Sequence, residues 1–162
     1  MDWRTLNQYN KELNGLSAID WFKNGYAFQN AGNYKQAIEA YSRAIELDPN
    51  DAKAYSCRGI AYNNLGDHRQ AIRDYDRAIE LDPNDAWAYF NRGVAYDNLG
   101  DHRQAIRDYD RAIELDPKYA WAYVGRGNSY FHHGNDEQAI RDYDRAISEG
   151  RRKSEASGGV KL

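Results

Sequence analysis

The feature that most constrains this chain is a period of 34 residues. Pro49, Pro83 and Pro117 fall on it, as do Gly25, Gly59, Gly93 and Gly127, and Gly32, Gly66, Gly100 and Gly134. The same interval links Ala37, Ala71, Ala105 and Ala139, then Tyr41, Tyr75, Tyr109 and Tyr143. A unit this short cannot bury its apolar face alone and must stack on its neighbours. The units run 18–51, 52–85, 86–119 and 120–151, and the middle two differ at only seven places, as expected of a recent duplication. Each reads as two helices. In the third, Ala86 to Leu99 carries helix formers, Gly100-Asp101 interrupts them, and Arg103 to Leu115 resumes. Pro117 lacks an N–H and disfavours helical geometry at Asp116, so the second helix ends there. Gly93 lies inside the first helix, where it costs about 1 kcal/mol relative to Ala. Its recurrence in every unit points to a neighbour too close for a side chain, and across the hairpin that neighbour is the ring of Tyr109.

The pattern Tyr89, Gly93, Tyr96, Ala105, Tyr109, Ala112, Pro117 resembles the tetratricopeptide repeat, residue class for residue class, in all four units. The resemblance implies an all-α fold, a right-handed α-solenoid of four helix-turn-helix hairpins. It further implies a concave groove that binds another protein, and no enzyme activity. One departure is systematic. The family's usual Leu before the helical Gly is replaced by Asn24, Arg58, Arg92 and Arg126. Antiparallel packing puts Arg58 near Asp74, Arg92 near Asp108 and Arg126 near Asp142. The unit with Asn24 has Ala40 at the facing place, so charge comes and goes in both columns together. The fourth unit also ends differently, with Gly150-Arg151 in place of Asp-Pro.

Helical phase separates the first helices into a core side and a remaining arc. The arc holds Ile19, Phe22, Tyr26, Gln29 and Asn30 in the first unit, and Lys53, Ser56, Ile60, Asn63 and Asn64 in the second. In the third it holds Trp87, Phe90, Val94, Asp97 and Asn98, and in the fourth Trp121, Val124, Asn128, Phe131 and His132. These positions vary between units while the core columns do not, the contrast expected between a recognition surface and its scaffold. From this arc we take Phe22, Tyr26, Asn30, Lys53, Ser56, Ile60, Asn64, Trp87, Phe90, Val94, Asn98, Trp121, Val124, Asn128 and His132 as the partner-binding groove. Phe90 reads as an aromatic anchor whose loss the fold notices little. Trp87 and Trp121 are balanced between anchoring a partner and covering an adjacent helix. Asn30, Asn64 and Asn98 form an amide ladder suited either to gripping a peptide backbone or to polar helix ends.

Two-carboxylate clamps of Lys, Asn and Arg serve the tetratricopeptide proteins that hold chaperone tails. The matching places here hold Phe22, Tyr26, Cys57, Trp87 and Asn91, or one unit later Ser56, Ile60, Asn91, Trp121 and Gly125, so the clamp is missing. No cofactor or metal site is expected. His68 and His102 are a repeat apart and read as solvated, and adjacent His132 and His133 point different ways on a helix. Cys57 has Lys53 one turn away, a charge that lowers a thiol pKa, but no base accompanies it.

Charge is finely interspersed and the net value is −3, which gives no overall pull toward nucleic acid or acidic membranes. A lone cysteine forms no internal disulfide and fits a reducing, cytoplasmic setting. No run is apolar enough for a signal peptide or a membrane span. Residues 1–17 form an N-terminal segment in which Trp3, Leu6, Tyr9, Leu13 and Leu16 follow helical spacing, predicting a helix that caps the first unit. Residues 152–162 are polar and predict a flexible tail. The expected function is therefore a protein-interaction scaffold that binds a peptide, or an extended or helical segment of a partner, in its groove. Two other readings stay open at this level: a secretion-type chaperone, and a structural unit that self-associates end to end.

Overall fold

The computed structural model describes residues 15–157, with side chains described through Arg151. The expected N-terminal helix lies outside them except for its last residues. Eight helices and no strands occur among the described residues: α1 (Ala18–Asn30), α2 (Tyr34–Leu47), α3 (Ala52–Asn64), α4 (His68–Leu81), α5 (Ala86–Asn98), α6 (His102–Leu115), α7 (Ala120–His132) and α8 (Asp136–Ser157). Consecutive pairs form hairpins, and the first helix of each hairpin packs on the second helix of the one before. The result is an all-α solenoid.

Local chemistry sets the boundaries. Ser17 caps α1 through a reciprocal pair with Asp20, and this hydrogen bonding holds the Asp20 carboxyl below its ordinary pKa. Asp51 and Asp85 cap α3 and α5, and Asp67 and Asp101 cap α4 and α6, each accepting backbone N–H groups. The turn within the third hairpin needs φ +79° at Gly100, a conformation glycine adopts without a Cβ penalty. α2, α4 and α6 stop at Asp48, Asp82 and Asp116, each ahead of a proline. The fourth unit has no such proline, and α8 continues to Ser157. This corrects the tail expected from residue 152: its first residues are helical, because nothing in Gly150-Arg151 removes a backbone donor.

The core is built from tyrosine against glycine and alanine. Tyr41, Tyr75 and Tyr109 are fully buried beside Ala37, Ala71 and Ala105. A Cβ placed on Gly93 would lie 2.8 Å from Tyr109 Cε1, and Gly25, Gly59 and Gly127 meet Tyr41, Tyr75 and Tyr143 equally closely. The helical glycines are thus required by ring contact, as the sequence predicts.

The expected ion pairs form within three hairpins. Arg92 Nε and Nη2 donate to both oxygens of Asp108 at 2.8 and 2.7 Å, and Arg58–Asp74 and Arg126–Asp142 repeat the geometry. Each arginine also reaches back one hairpin, which the sequence reading did not foresee. Arg92 Nη1 meets Asp76 at 2.7 Å, Arg126 Nη1 meets Asp110 at 2.6 Å, and Arg58 Nη1 meets the hydroxyl of Ser42 at 3.0 Å. Burial pulls the Arg92 guanidinium pKa down, but the bonds and charge of Asp108 and then Asp76 outweigh it and hold the cation above its ordinary value.

Candidate groove between the third and fourth repeats

A cleft of about 390 Å³ opens where α5 and α7 lie side by side. α5 contributes Phe90, Val94, Asp97 and Asn98. α6 contributes His102 and Tyr109, and α7 contributes Trp121, Val124, Gly125, Asn128 and His132. Seven of the residues expected in the groove therefore converge: Phe90, Val94, Asn98, Trp121, Val124, Asn128 and His132. Trp121 is open to solvent, at 69% exposure.

Gly125, on the cleft wall, lets α7 approach the Tyr109 ring closely. A Cβ there would lie 2.6 Å from Tyr109 Cζ, so the ring of Tyr109 is in close contact with both Gly93 and Gly125. The equivalent residue is Cys57 in the second repeat and Asn91 in the third. Asp97 gathers the polar groups of the cleft. It accepts the Tyr109 hydroxyl at 2.9 Å and the Ser129 hydroxyl at 2.8 Å, and lies 2.9 Å from His102 Nδ1. Asn63 and Ala95 occupy the places of Asp97 and Ser129 one repeat earlier, and there the buried Tyr75 hydroxyl has no partner. His102 is half-buried and stacks on His132 with centroids 5.1 Å apart. It is not the solvated histidine expected from sequence, because the hairpin turn folds it back onto Asp97. His68 is likewise held, 2.6 Å from Asn63 Oδ1.

The other expected groove residues are placed differently. Ser56 is buried at 1% exposure, so it leaves the surface; a small side chain at this position is enclosed, whereas Phe90 reaches the cleft. Phe90 itself packs on Tyr109 and Tyr119 at 5.8 and 5.0 Å, so it is partly structural, contrary to the expectation that the fold barely depends on it. Phe22 packs on Tyr41, and Ile60 rests on the cluster of Ala71, Tyr75 and Ala95. Tyr26, Asn30 and Lys53 are exposed but away from the cleft, and Trp87 is 38% exposed. The amide ladder is partly spent internally: Asn64 donates to the Ile60 carbonyl at 2.9 Å and Asn98 to Asn63 Oδ1 at 3.2 Å. Asn128 accepts from the Tyr143 hydroxyl at 2.9 Å. Cys57 also departs from expectation. Burial pushes its thiol up to about 11, and the neighbouring Tyr41 hydroxyl and the charge of Lys53 do not offset this. Among the described residues no group of three or more His, Cys, Asp or Glu is placed to hold a metal, and no helix is long and apolar enough to cross a membrane.

Stacked helical hairpins with a groove along their first helices define a class of protein-interaction scaffold. Family models place this chain within it: a tetratricopeptide repeat model matches 86–119, a TPR repeat model matches 25–66 and 61–100, and a further tetratricopeptide repeat model matches 108–141. The chain belongs to the tetratricopeptide repeat family. No curated protein sequence matches it. Among solved structures it resembles a crystal structure of MamA, 28% identical, with a TM-score of 0.84 over 96% of this chain and 98% of that one. It also resembles the first TPR domain of Spaghetti (RPAP3) bound to the HSP90 peptide SRMEEVD, at 26% identity, TM-score 0.71 and 73% and 94% coverage. The second TPR domain of human RPAP3 in complex with the HSP70 peptide SGPTIEEVD is 30% identical, with a TM-score of 0.67 over 69% and 93%. These peptide-bound relatives support a scaffold that engages proteins, and repeat proteins of this family are generally not enzymes.

Proposed function

We propose that this chain is a cytoplasmic scaffold whose concave groove takes a peptide, or an extended or helical segment of a partner, by apolar and aromatic contact without a two-carboxylate clamp. One observation carries the reading. Phe90, Val94, Trp121 and Val124 surround an open cleft whose polar groups centre on the acidic Asp97 and include no lysine or arginine. An acidic tail such as the EEVD peptides of the RPAP3 complexes would find no lysine or arginine there. An uncharged or aromatic side chain would bury apolar surface against Trp121 at little desolvation cost.

The seven differences between the second and third repeats support the same view. Five of them, Trp87, Phe90, Asn91, Val94 and Asp97, lie on α5, and a sixth, Tyr119, packs on Phe90. Three of the seven, Phe90, Val94 and Asp97, line the cleft itself. Tyr119 also takes the place of the capping Asp85, and α7 has no side-chain cap. A helix cap worth about 1 kcal/mol was given up for an aromatic neighbour of Phe90.

The test uses peptides selected from a displayed random library on the intact chain. Trp121→Ala should weaken their binding about thirtyfold or more with the melting temperature unchanged, since Trp121 is exposed and its removal leaves no cavity. Selected peptides that bind the Trp121→Ala chain as tightly as the parent would rule out this cleft.

A further inference from the structure

The cleft between α5 and α7 has two unlike ends. Phe90, Trp121 and Val124 make one end apolar, while Asp97, Asn98, Asn128 and His132 make the other polar. Asp97 lies seven residues beyond Phe90 on α5, so the ends are about 10 Å apart at the helical rise of about 1.5 Å per residue. Three observations make the polar end negative. Asp97 keeps 20% of its side chain exposed, and its partners are the Tyr109 and Ser129 hydroxyls and the His102 ring, with no lysine or arginine among them. α5 and α7 both end there, at Asn98 and His132, and the carbonyls of a helix C-terminus carry partial negative charge. Arg92 and Arg126, the arginines of these two helices, are held elsewhere by Asp108, Asp76, Asp142 and Asp110.

This charge belongs to one repeat. The column that holds Asp97 reads Gln29, Asn63, Asp97 and Phe131 along the array, and the column that holds Ser129 reads Ala27, Ala61, Ala95 and Ser129. The single carboxylate and the single hydroxyl of these columns meet at 2.8 Å in the cleft. That contact orients Asp97, yet a hydroxyl leaves its charge uncompensated. Asn98 Nδ2 donates to Asn63, which leaves the Asn98 amide oxygen as a further acceptor at the same end. We propose that the groove reads a partner segment bearing an apolar side chain for the Trp121 end and a lysine or arginine for the Asp97 end, about 10 Å apart. Three residues of a polyproline-II segment, or seven of a helix, span that distance with both side chains on one side. The inference rests on the groove reading above and adds a cation to it.

The probes are peptides selected from a displayed random library on the intact chain at pH 8, where an ordinary histidine is neutral. Those whose binding needs Trp121 should carry a lysine or arginine three or seven residues from an apolar residue. Replacing that basic residue by methionine, which keeps length and removes charge, should weaken binding to the parent chain about tenfold or more at low salt, and less at high salt. On an Asp97→Asn chain the same replacement should change binding by less than about twofold. Asparagine already stands at this place in the second repeat, as Asn63, and the peptide comparison on the parent chain does not depend on the variant. Trp121-dependent peptides that lack a basic residue, or whose methionine forms bind as tightly, overturn the cation and leave the groove reading standing. A basic residue whose contribution survives Asp97→Asn overturns the assignment to Asp97. A library that yields no binder, or only binders indifferent to Trp121→Ala, overturns both.

Discussion

Ser56 and Phe90 occupy the same column in consecutive repeats, and they show how much one side chain decides. The hydroxyl of Ser56 is buried with no hydrogen-bond partner, whereas Phe90 fills its site and extends to the cleft. A buried hydroxyl without a partner is destabilising by about 1–3 kcal/mol relative to a methyl-sized apolar group. Ser56→Ala should therefore hold or raise the denaturant midpoint; a loss of more than about 1 kcal/mol would show that the hydroxyl is satisfied after all. Cys57 beside it makes a second residue-scale prediction. A thiol pushed up to about 11 by burial favours its protonated form in the folded chain. That preference is fully present below the unfolded thiol pKa and is lost as pH rises through the folded value, so the folded chain becomes less stable across that alkaline window. Near pH 8 alkylation of Cys57 should be slow in the folded chain and fast in denaturant, and equal rates in both would contradict its burial.

At the scale of the helix pair, the arginine column holds hairpins both together and to one another. Asp108 has only 8% of its side chain exposed, so Arg92→Leu would leave a buried carboxylate without its cation. We expect a loss of about 3–5 kcal/mol in chemical denaturation, most of it recovered when Asp108→Ala is added. Additive losses would argue against coupling. The pairing within each hairpin was legible because Asn24 and Ala40 break both columns at once. The second bond to Asp76 was not, since it depends on how one hairpin is rotated on the next, and no spacing within a unit encodes that angle. Gly125 against Tyr109 escaped notice for the same reason, while Gly93 against Tyr109 lies within one hairpin and could be read. Helical phase found seven cleft residues but misplaced Ser56, because an arc drawn on a single helix does not show which part of it a neighbouring hairpin covers. His102 was missed because its partner Asp97 lies across the turn, five residues away on a different helix.

In the whole molecule, stability is distributed along the array as hairpin terms and junction terms, and the junctions are not equal. Arg92 and Arg126 bridge to carboxylates on the preceding hairpin, but Arg58 finds only the hydroxyl of Ser42. A neutral acceptor makes a weaker bond with guanidinium than a carboxylate does. The junction between the first and second hairpins is therefore the weakest link, and the first hairpin should open before the rest. Hydrogen exchange followed by mass spectrometry should show α1 and α2 less protected than α3 to α6 under native conditions. Ser42→Asp would place in the first hairpin the residue that Asp76 and Asp110 supply in the next two. Because those carboxylates are 48% and 45% exposed, the gain should be modest, up to about 1 kcal/mol. It should appear as slower exchange in α1 and α2 while α5 and α6 are unaffected, and it should shrink at high salt. Uniform protection along the parent chain, or a Ser42→Asp variant whose first hairpin exchanges no more slowly, would mean that the backward-reaching arginine does not set the strength of the junction.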